Sequence, residues 1–179
     1  MVKLIIGGTG SGKTKELIDQ VNAAVKEEKG SVVCISRGNK LTFDISHDAR
    51  LIDAADYPVS DSASLLGFVG GLHAGNYDIT RVFIDGLYKI IGGKDAAKAE
   101  EFLVALDAFS AKHSVNFTVS LSEEPESATE GMKAFPVILK RKYISQAQKS
   151  NDENRCFFLL PAAGLVRKNN GKCCVFFPL

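Results

Sequence analysis

Several features that mark other classes of protein are missing from this sequence of 179 residues. None of its four cysteines, Cys34, Cys156, Cys173 and Cys174, belongs to a C-x-x-C pair, so a structural zinc site has little support. The three histidines show no metal-ligand spacing, and no Ser/His/Asp or Cys/His arrangement stands out. We expect Cys34 to be a small core residue in a buried strand, and all four thiols to be reduced.

An excess of one charge and a long hydrophobic run are also lacking. The 22 Lys and Arg residues nearly balance the 21 Asp and Glu residues, so no overall basic field favours nucleic acid or an anionic membrane. The N-terminal apolar run is too short for a signal peptide. The longest apolar run near the other end is broken by Pro161 and Gly164, whereas a membrane-spanning helix needs about 20 apolar residues. We therefore predict a cytoplasmic protein with no membrane partner.

What the sequence does contain is a phosphate-binding signature. Residues 7–14 read GGTGSGKT and lie between an apolar run and a stretch of helical periodicity, which matches G-x-x-x-x-G-K-[ST] in the required setting. Glycines let backbone N–H groups turn towards an anion, and a helix N-terminus adds unpaired donors. We predict that Lys13 acts catalytically on the β- and γ-phosphates and that Thr14 ligates Mg²⁺. The predicted nucleotide-binding residues are Gly7, Gly8, Thr9, Gly10, Ser11, Gly12, Lys13 and Thr14.

A second nucleotide signature is VFID at residues 82–85. A hydrophobic strand that ends in Asp matches the Walker B pattern and predicts Asp85 as an Mg²⁺ ligand, the alternative being a turn Asp after a buried strand. Gly86 follows, where many ATP hydrolases place a Glu that polarises water. Either the base lies elsewhere, or hydrolysis is slow, or the acceptor is not water. Glu123 and Glu124 are the candidate catalytic carboxylates, with a solvated acidic loop as the alternative.

Other polar residues near predicted strand ends each have two interpretations. Ser120 and Ser122 are either sensors of the γ-phosphate or turn hydroxyls, and Arg37 is either a phosphate or substrate contact or a surface residue. Guanine-reading signatures are absent, because an N-K-x-D motif would need Asp where Thr42 stands and a D-x-x-G switch would need Gly where Tyr88 stands. We therefore expect ATP rather than GTP.

The order of elements predicts an α/β fold with a mainly parallel, doubly wound sheet and helices on both faces. Two short extended segments, 41–45 and 50–54, are expected to form a hairpin. The nucleotide-binding domain is predicted to span 1–144, with a linker and a C-terminal hairpin or tail at 145–179. Strands are predicted at 2–6, 31–36, 81–85 and 115–121, and helices at 13–28, 62–74, 95–112 and 127–135.

Residues 1–135 resemble the P-loop nucleoside-triphosphatase superfamily, through the motifs at 7–14 and 82–85. The stretch is most similar to a group of small ATP-binding proteins of Firmicutes-type bacteria. The shared features are the VVCIS strand with its following Arg-Gly, the RLID segment at 50–53 and the run GNYDITRVFID at 75–85.

Many members of that group carry a twitching-motility (PilT-like) name, but the motility ATPases are larger and carry a separate N-terminal domain. The resemblance implies ATP binding at Gly12, Lys13, Thr14 and Asp85, and leaves the cellular task open. The thymidine-kinase core is also similar in size and order. That family, however, follows its Walker B Asp with Glu, where this chain has Gly86, and it carries a zinc-binding lobe.

The leading hypothesis is an ATP-binding protein, with ATP and Mg²⁺ as cofactors, whose hydrolysis is slow or stimulated by an unknown protein partner. A first alternative is a small-molecule or nucleoside kinase, which transfers the phosphoryl group to an acceptor other than water. A second alternative is a non-catalytic nucleotide-sensing module. Nucleic acid is not indicated as a partner.

Overall fold

Residues 1–138 are described in the computed structural model, and six parallel strands form their centre. The strand order is β3-β2-β4-β5-β1-β6, and every neighbouring pair is parallel. The prediction of an α/β fold with a parallel sheet is therefore confirmed. The strands are β1 (Val2–Ile6), β2 (Ser31–Ser36), β3 (Arg50–Asp53), β4 (Ile79–Ile84), β5 (Asn116–Leu121) and β6 (Val137–Ile138).

Residues 1–138 also contain five α-helices, and the three long ones agree closely with the periodicity of the sequence. Side-chain caps begin two of the long helices: Asp61 accepts a hydrogen bond from the Ser64 backbone N–H, and Asp95 accepts bonds from two backbone N–H groups of its helix. The helices are α1 (Lys13–Glu27), α2 (Ser62–Gly75), α3 (Leu87–Ile90), α4 (Ala96–His113) and α5 (Glu130–Lys133).

Each strand contributes side chains to two hydrophobic cores, because successive residues of a strand point to opposite faces of the sheet. Leu4 and Ile6 of β1 belong to the core that α2 and α4 cover, whereas Ile5 belongs to the core that α1 covers. Cys34 lies fully buried in the second core, as expected, and burial raises the pKa of its thiol to about 12. Helices therefore lie on both faces.

The predicted hairpin between 41–45 and 50–54 is wrong. Residues 39–41 form a short 3₁₀ helix instead, and β3 pairs in parallel with β2. Leu41 and Ile45 are buried together in the core beside α1, four residues apart, which suits turns rather than an extended segment. The Asn22 side chain fixes these turns, since its Nδ2 donates to the Asp44 carbonyl and its Oδ1 accepts from the Ser46 N–H.

The shortest elements of the fold depart from the expected pattern. The helix predicted at 127–135 is limited to α5, which Thr129 caps. The short elements α3 and β6 were not predicted, because each is too short to show a periodicity. The predicted boundary at 144/145 and the predicted C-terminal hairpin lie outside the described residues.

Candidate functional site

The predicted site residues converge on the edge of the sheet where the parallel strands end. The glycine-rich loop, defined here as residues 7–14, follows β1, and Asp85 follows β4. β5 lies between these two strands and leads into Glu123 and Glu124. In open parallel α/β sheets, ligands bind at this edge.

The glycine-rich loop has a backbone that glycine favours. Gly10 and Gly12 have φ values of 77° and 83°, in the left-handed region that other residues rarely adopt. No side chain caps the N-terminus of α1, in contrast to α2 and α4. The hydroxyl of Ser11 is buried without a hydrogen-bond partner in the described part of the chain. The loop therefore offers backbone and hydroxyl groups suited to an anion.

Lys13 lies half-buried at the start of α1, with its ammonium group turned back onto the loop. Its Nζ donates to the Gly8 carbonyl at 2.8 Å. Burial lowers the pKa of Lys13, Asp85 opposes this shift, Lys89 adds to it, and Glu124 opposes it. The cation is thus held beside the loop among charged groups from the stretch 85–89 and from the segment after β5.

Asp85 is bound by hydroxyl groups from two other elements. Thr14 Oγ1 donates to Asp85 Oδ1 at 3.4 Å across 71 residues of sequence, and Ser120 Oγ donates to the same oxygen at 2.9 Å. The Ser120 hydroxyl also accepts the N–H of Gly86 at 2.7 Å. The two predicted Mg²⁺ ligands therefore lie together. Ser120 is buried in β5 and binds the Asp85 carboxylate, so it is not a turn hydroxyl.

Glu123 and Glu124 lie in different environments, although they are adjacent. Glu123 is only 4% exposed, which excludes a solvated loop for it. Its Oε2 accepts from the Tyr88 hydroxyl at 3.1 Å, and its Oε1 pairs with Lys94 Nζ at 2.9 Å. Burial, followed by this hydrogen bond to Glu123, raises the pKa of Tyr88. Both carboxylate oxygens of Glu123 are therefore engaged by other side chains.

Glu124 is exposed, and its carboxylate lies against the glycine-rich loop. A methyl group added to Gly8 would overlap its Oε1 atom. Glu124 also acts on the charge of Lys13. Of the two glutamates, Glu124 is the one that the fold brings to the predicted phosphate site.

Arg37 is exposed and binds backbone rather than lying free on the surface. Its Nη1 donates to the carbonyls of Lys89 and Ile90, both at 3.2 Å, at the end of α3. Lys89 lies four residues after Asp85, and its side chain runs along Gly86. No motif marks this lysine, and it reaches the site only because α3 turns directly after Asp85.

None of the three histidines lies at this edge of the sheet. His47 is exposed in the turns before β3, while His73 and His113 pack together at the C-terminal ends of α2 and α4, with ring centroids 4.6 Å apart. Within residues 1–138, no three His, Cys, Asp or Glu side chains gather as a metal site. None of the helices in that range is long and apolar enough to cross a membrane.

Comparison of the chain with protein-family models and with curated proteins finds no match. The function of this chain is therefore inferred from the residues and geometry of this site.

Proposed function

We propose that the chain is a P-loop protein that binds Mg-ATP and whose ATP hydrolysis is slow or stimulated by a partner. The observation that carries this proposal is the pairing of Thr14 with Asp85 beside the glycine-rich loop. The two residues come from separate motifs, each of which predicts an Mg²⁺ ligand on its own. Their contact makes an accidental match of either motif a poor explanation.

The residues of the site fit a nucleotide and its metal ion. The partnerless Ser11 hydroxyl and the uncapped start of α1 are donors that phosphate oxygens would satisfy. Thr14 and Asp85 would hold Mg²⁺, with Ser120 fixing the carboxylate. A bound Mg²⁺ ion would neutralise charge on the phosphate oxygens. Lys13 would exchange its bond to the Gly8 carbonyl for one to a phosphate oxygen.

Slow hydrolysis follows from the surroundings of the candidate bases. Gly86 supplies no carboxylate, and Glu123 is occupied by Tyr88 and Lys94. General-base assistance contributes about 10²–10⁴-fold and typical enzymes turn over at about 10 s⁻¹, so turnover by the isolated chain should stay below about 1 s⁻¹. Glu124, whose carboxylate lies against the glycine-rich loop, is the other candidate base.

The binding experiment is isothermal titration calorimetry with Mg-ATP and Mg-GTP. We expect binding of ATP, and weaker binding of GTP because the guanine-reading motifs are absent. Equal or tighter GTP binding would remove the stated preference, and no binding of either nucleotide would overturn the proposal.

The turnover experiment is single-turnover hydrolysis by the wild type, Glu123→Gln and Glu124→Gln, followed by phosphate release with a panel of small-molecule acceptors. We expect slow release that Glu124→Gln reduces further. Fast hydrolysis that neither substitution changes would show that the catalytic group is elsewhere. ADP formation that depends on an acceptor would favour the kinase alternative.

A further inference from the structure

A lysine side chain lies along Gly86, the residue directly after Asp85. Gly86 has a φ value of 68°, and a Cβ atom placed on it would lie 3.2 Å from Lys89 Cδ and 3.7 Å from both Cγ and Cε. The aliphatic part of Lys89 therefore folds back from α3 along the backbone beside the predicted metal ligand. Many ATP hydrolases carry a carboxylate at the position of Gly86, whereas here a cationic side chain covers it.

This second lysine belongs to the same group of contacts as Lys13. Its stem lies along Gly86, the neighbouring Asp85 accepts a hydrogen bond from the Thr14 hydroxyl at 3.4 Å, and Thr14 directly follows Lys13. Lys89 is also exposed, so its ammonium group is accessible to a ligand in solution. Two cations of like sign therefore share one region of the sheet edge, which an anion of high charge would stabilise.

The backbone of α3 is held independently of the Lys89 side chain. The Lys89 N–H donates to the Gly86 carbonyl at 2.8 Å, and Arg37 binds the Lys89 and Ile90 carbonyls. The α3 backbone is thus held by its own hydrogen bond and by the Arg37 guanidinium, and neither contact uses the Lys89 side chain. Replacing the side chain of Lys89 should leave this arrangement in place.

We propose that Lys89 is a second phosphate-binding cation, which binds the terminal phosphate oxygens of a nucleoside triphosphate together with Lys13. This inference rests on the proposed function, and it specifies the ligand as a triphosphate rather than a diphosphate. A cation beside Asp85 neutralises charge on the terminal phosphate but does not activate water. That property agrees with the proposed slow hydrolysis.

The test compares Lys89→Gln and Lys89→Arg with the wild type by calorimetry, using Mg-ATP, Mg-ADP and inorganic tripolyphosphate. Charge-assisted hydrogen bonds contribute about 1.5–3 kcal/mol, so Lys89→Gln should weaken ATP and tripolyphosphate binding by roughly tenfold or more. ADP binding should weaken less. Lys89→Arg keeps the charge and should restore most of the affinity.

Lys26→Gln is the matched control, because it removes the same charge from an exposed position near the far end of α1. Thermal unfolding of each variant checks the fold. If the wild type binds ATP and Lys89→Gln binds it as tightly as Lys26→Gln does, the inference is wrong while the proposed function stands. The same holds if Lys89→Arg binds no better than Lys89→Gln. If the wild type itself binds no ATP, the proposed function fails and this inference fails with it.

Discussion

The two edges of the parallel sheet use their polar groups in different ways. At the carboxyl edge, α1 begins without a side-chain cap, the Ser11 hydroxyl has no partner among residues 1–138, and Lys13 is half-buried. At the amino edge, side chains close the turns. Arg81 pairs with Glu28 at 2.8 Å, and the Ser110 hydroxyl donates to the Val115 carbonyl at 2.7 Å.

This difference indicates that the carboxyl edge is suited to ligand binding and the amino edge to packing. Thr80 Oγ1 and Arg81 Nε, near the start of β4, also lack partners among residues 1–138. The carboxyl edge, however, combines a partnerless hydroxyl with an uncapped helix N-terminus and a half-buried lysine, so substitutions there should change binding more than stability. The amino edge also contains the aromatic cluster of His73, Phe109 and His113, where packing and not ligand chemistry dominates. Substitutions there should change stability and leave binding intact.

The largest expected effect is on nucleotide binding by Lys13→Ala. The loss of a charged donor to the β- and γ-phosphates should cost about 1.5–3 kcal/mol, roughly a 10- to 150-fold loss of affinity for ATP. ADP binding should fall less, because it lacks the γ-phosphate. Calorimetry with both nucleotides measures the difference, and Lys26→Ala serves as the control. An unchanged ATP affinity in folded Lys13→Ala would contradict the assignment of this edge.

The next effect is on stability at the amino edge, by Gly30→Ala. A Cβ atom on Gly30 would overlap the Asp78 carbonyl and the Thr80 side chain, so the start of β2 or β4 must shift. We expect the free energy of unfolding to fall by about 1–3 kcal/mol, with unchanged ATP affinity. Chemical denaturation provides the measurement.

Gly71→Ala is the control for Gly30→Ala. Its Cβ would meet nothing within 4 Å in α2, and a helical Gly→Ala change stabilises by about 0.5–1 kcal/mol. Equal stabilities of Gly30→Ala and the wild type would show that the amino edge tolerates the displacement.

A smaller effect is expected for Asp85→Asn at the carboxyl edge. The amide can still accept hydrogen bonds from Thr14 and Ser120, so the fold should remain, whereas the charge that attracts Mg²⁺ is lost. ATP affinity in the presence of Mg²⁺ should fall roughly tenfold, about 1.4 kcal/mol, and titrations with Mg²⁺ or with EDTA should then give similar values. An unfolded variant, together with a wild-type affinity that is independent of Mg²⁺, would make Asp85 structural.

The smallest effect is a pH dependence of stability at the amino edge. Burial lowers the pKa of His113, and His73 and Lys112 lower it further. A histidine with a lowered pKa binds its proton more readily in the unfolded state, so stability should decline as pH falls below about 6.5. His113→Gln should flatten the melting temperature between about pH 7.5 and 5.5. The exposed His47 supplies the control, because His47→Gln should retain the wild-type slope.

Local patterns were sufficient to predict much of this protein. The apolar runs of β1, β2, β4 and β5 and the periodicity of α1, α2 and α4 all appear near their predicted positions. The glycine-rich motif also indicated its own position between a strand and a helix. These features could be read because neighbours in sequence determine strand alternation, helical faces and turn chemistry.

Contacts between distant segments could not be read in this way, and the tertiary structure decided them. It made β3 a parallel neighbour of β2, joined Ser120 to Asp85, and brought Lys89 to the site. It also separated two adjacent glutamates, burying Glu123 against Tyr88 and Lys94 and leaving Glu124 at the loop. The chemical types were present in the sequence throughout. The sequence did not show which of these residues pair, because pairing across 35 or 71 residues depends on which strand ends the sheet places side by side.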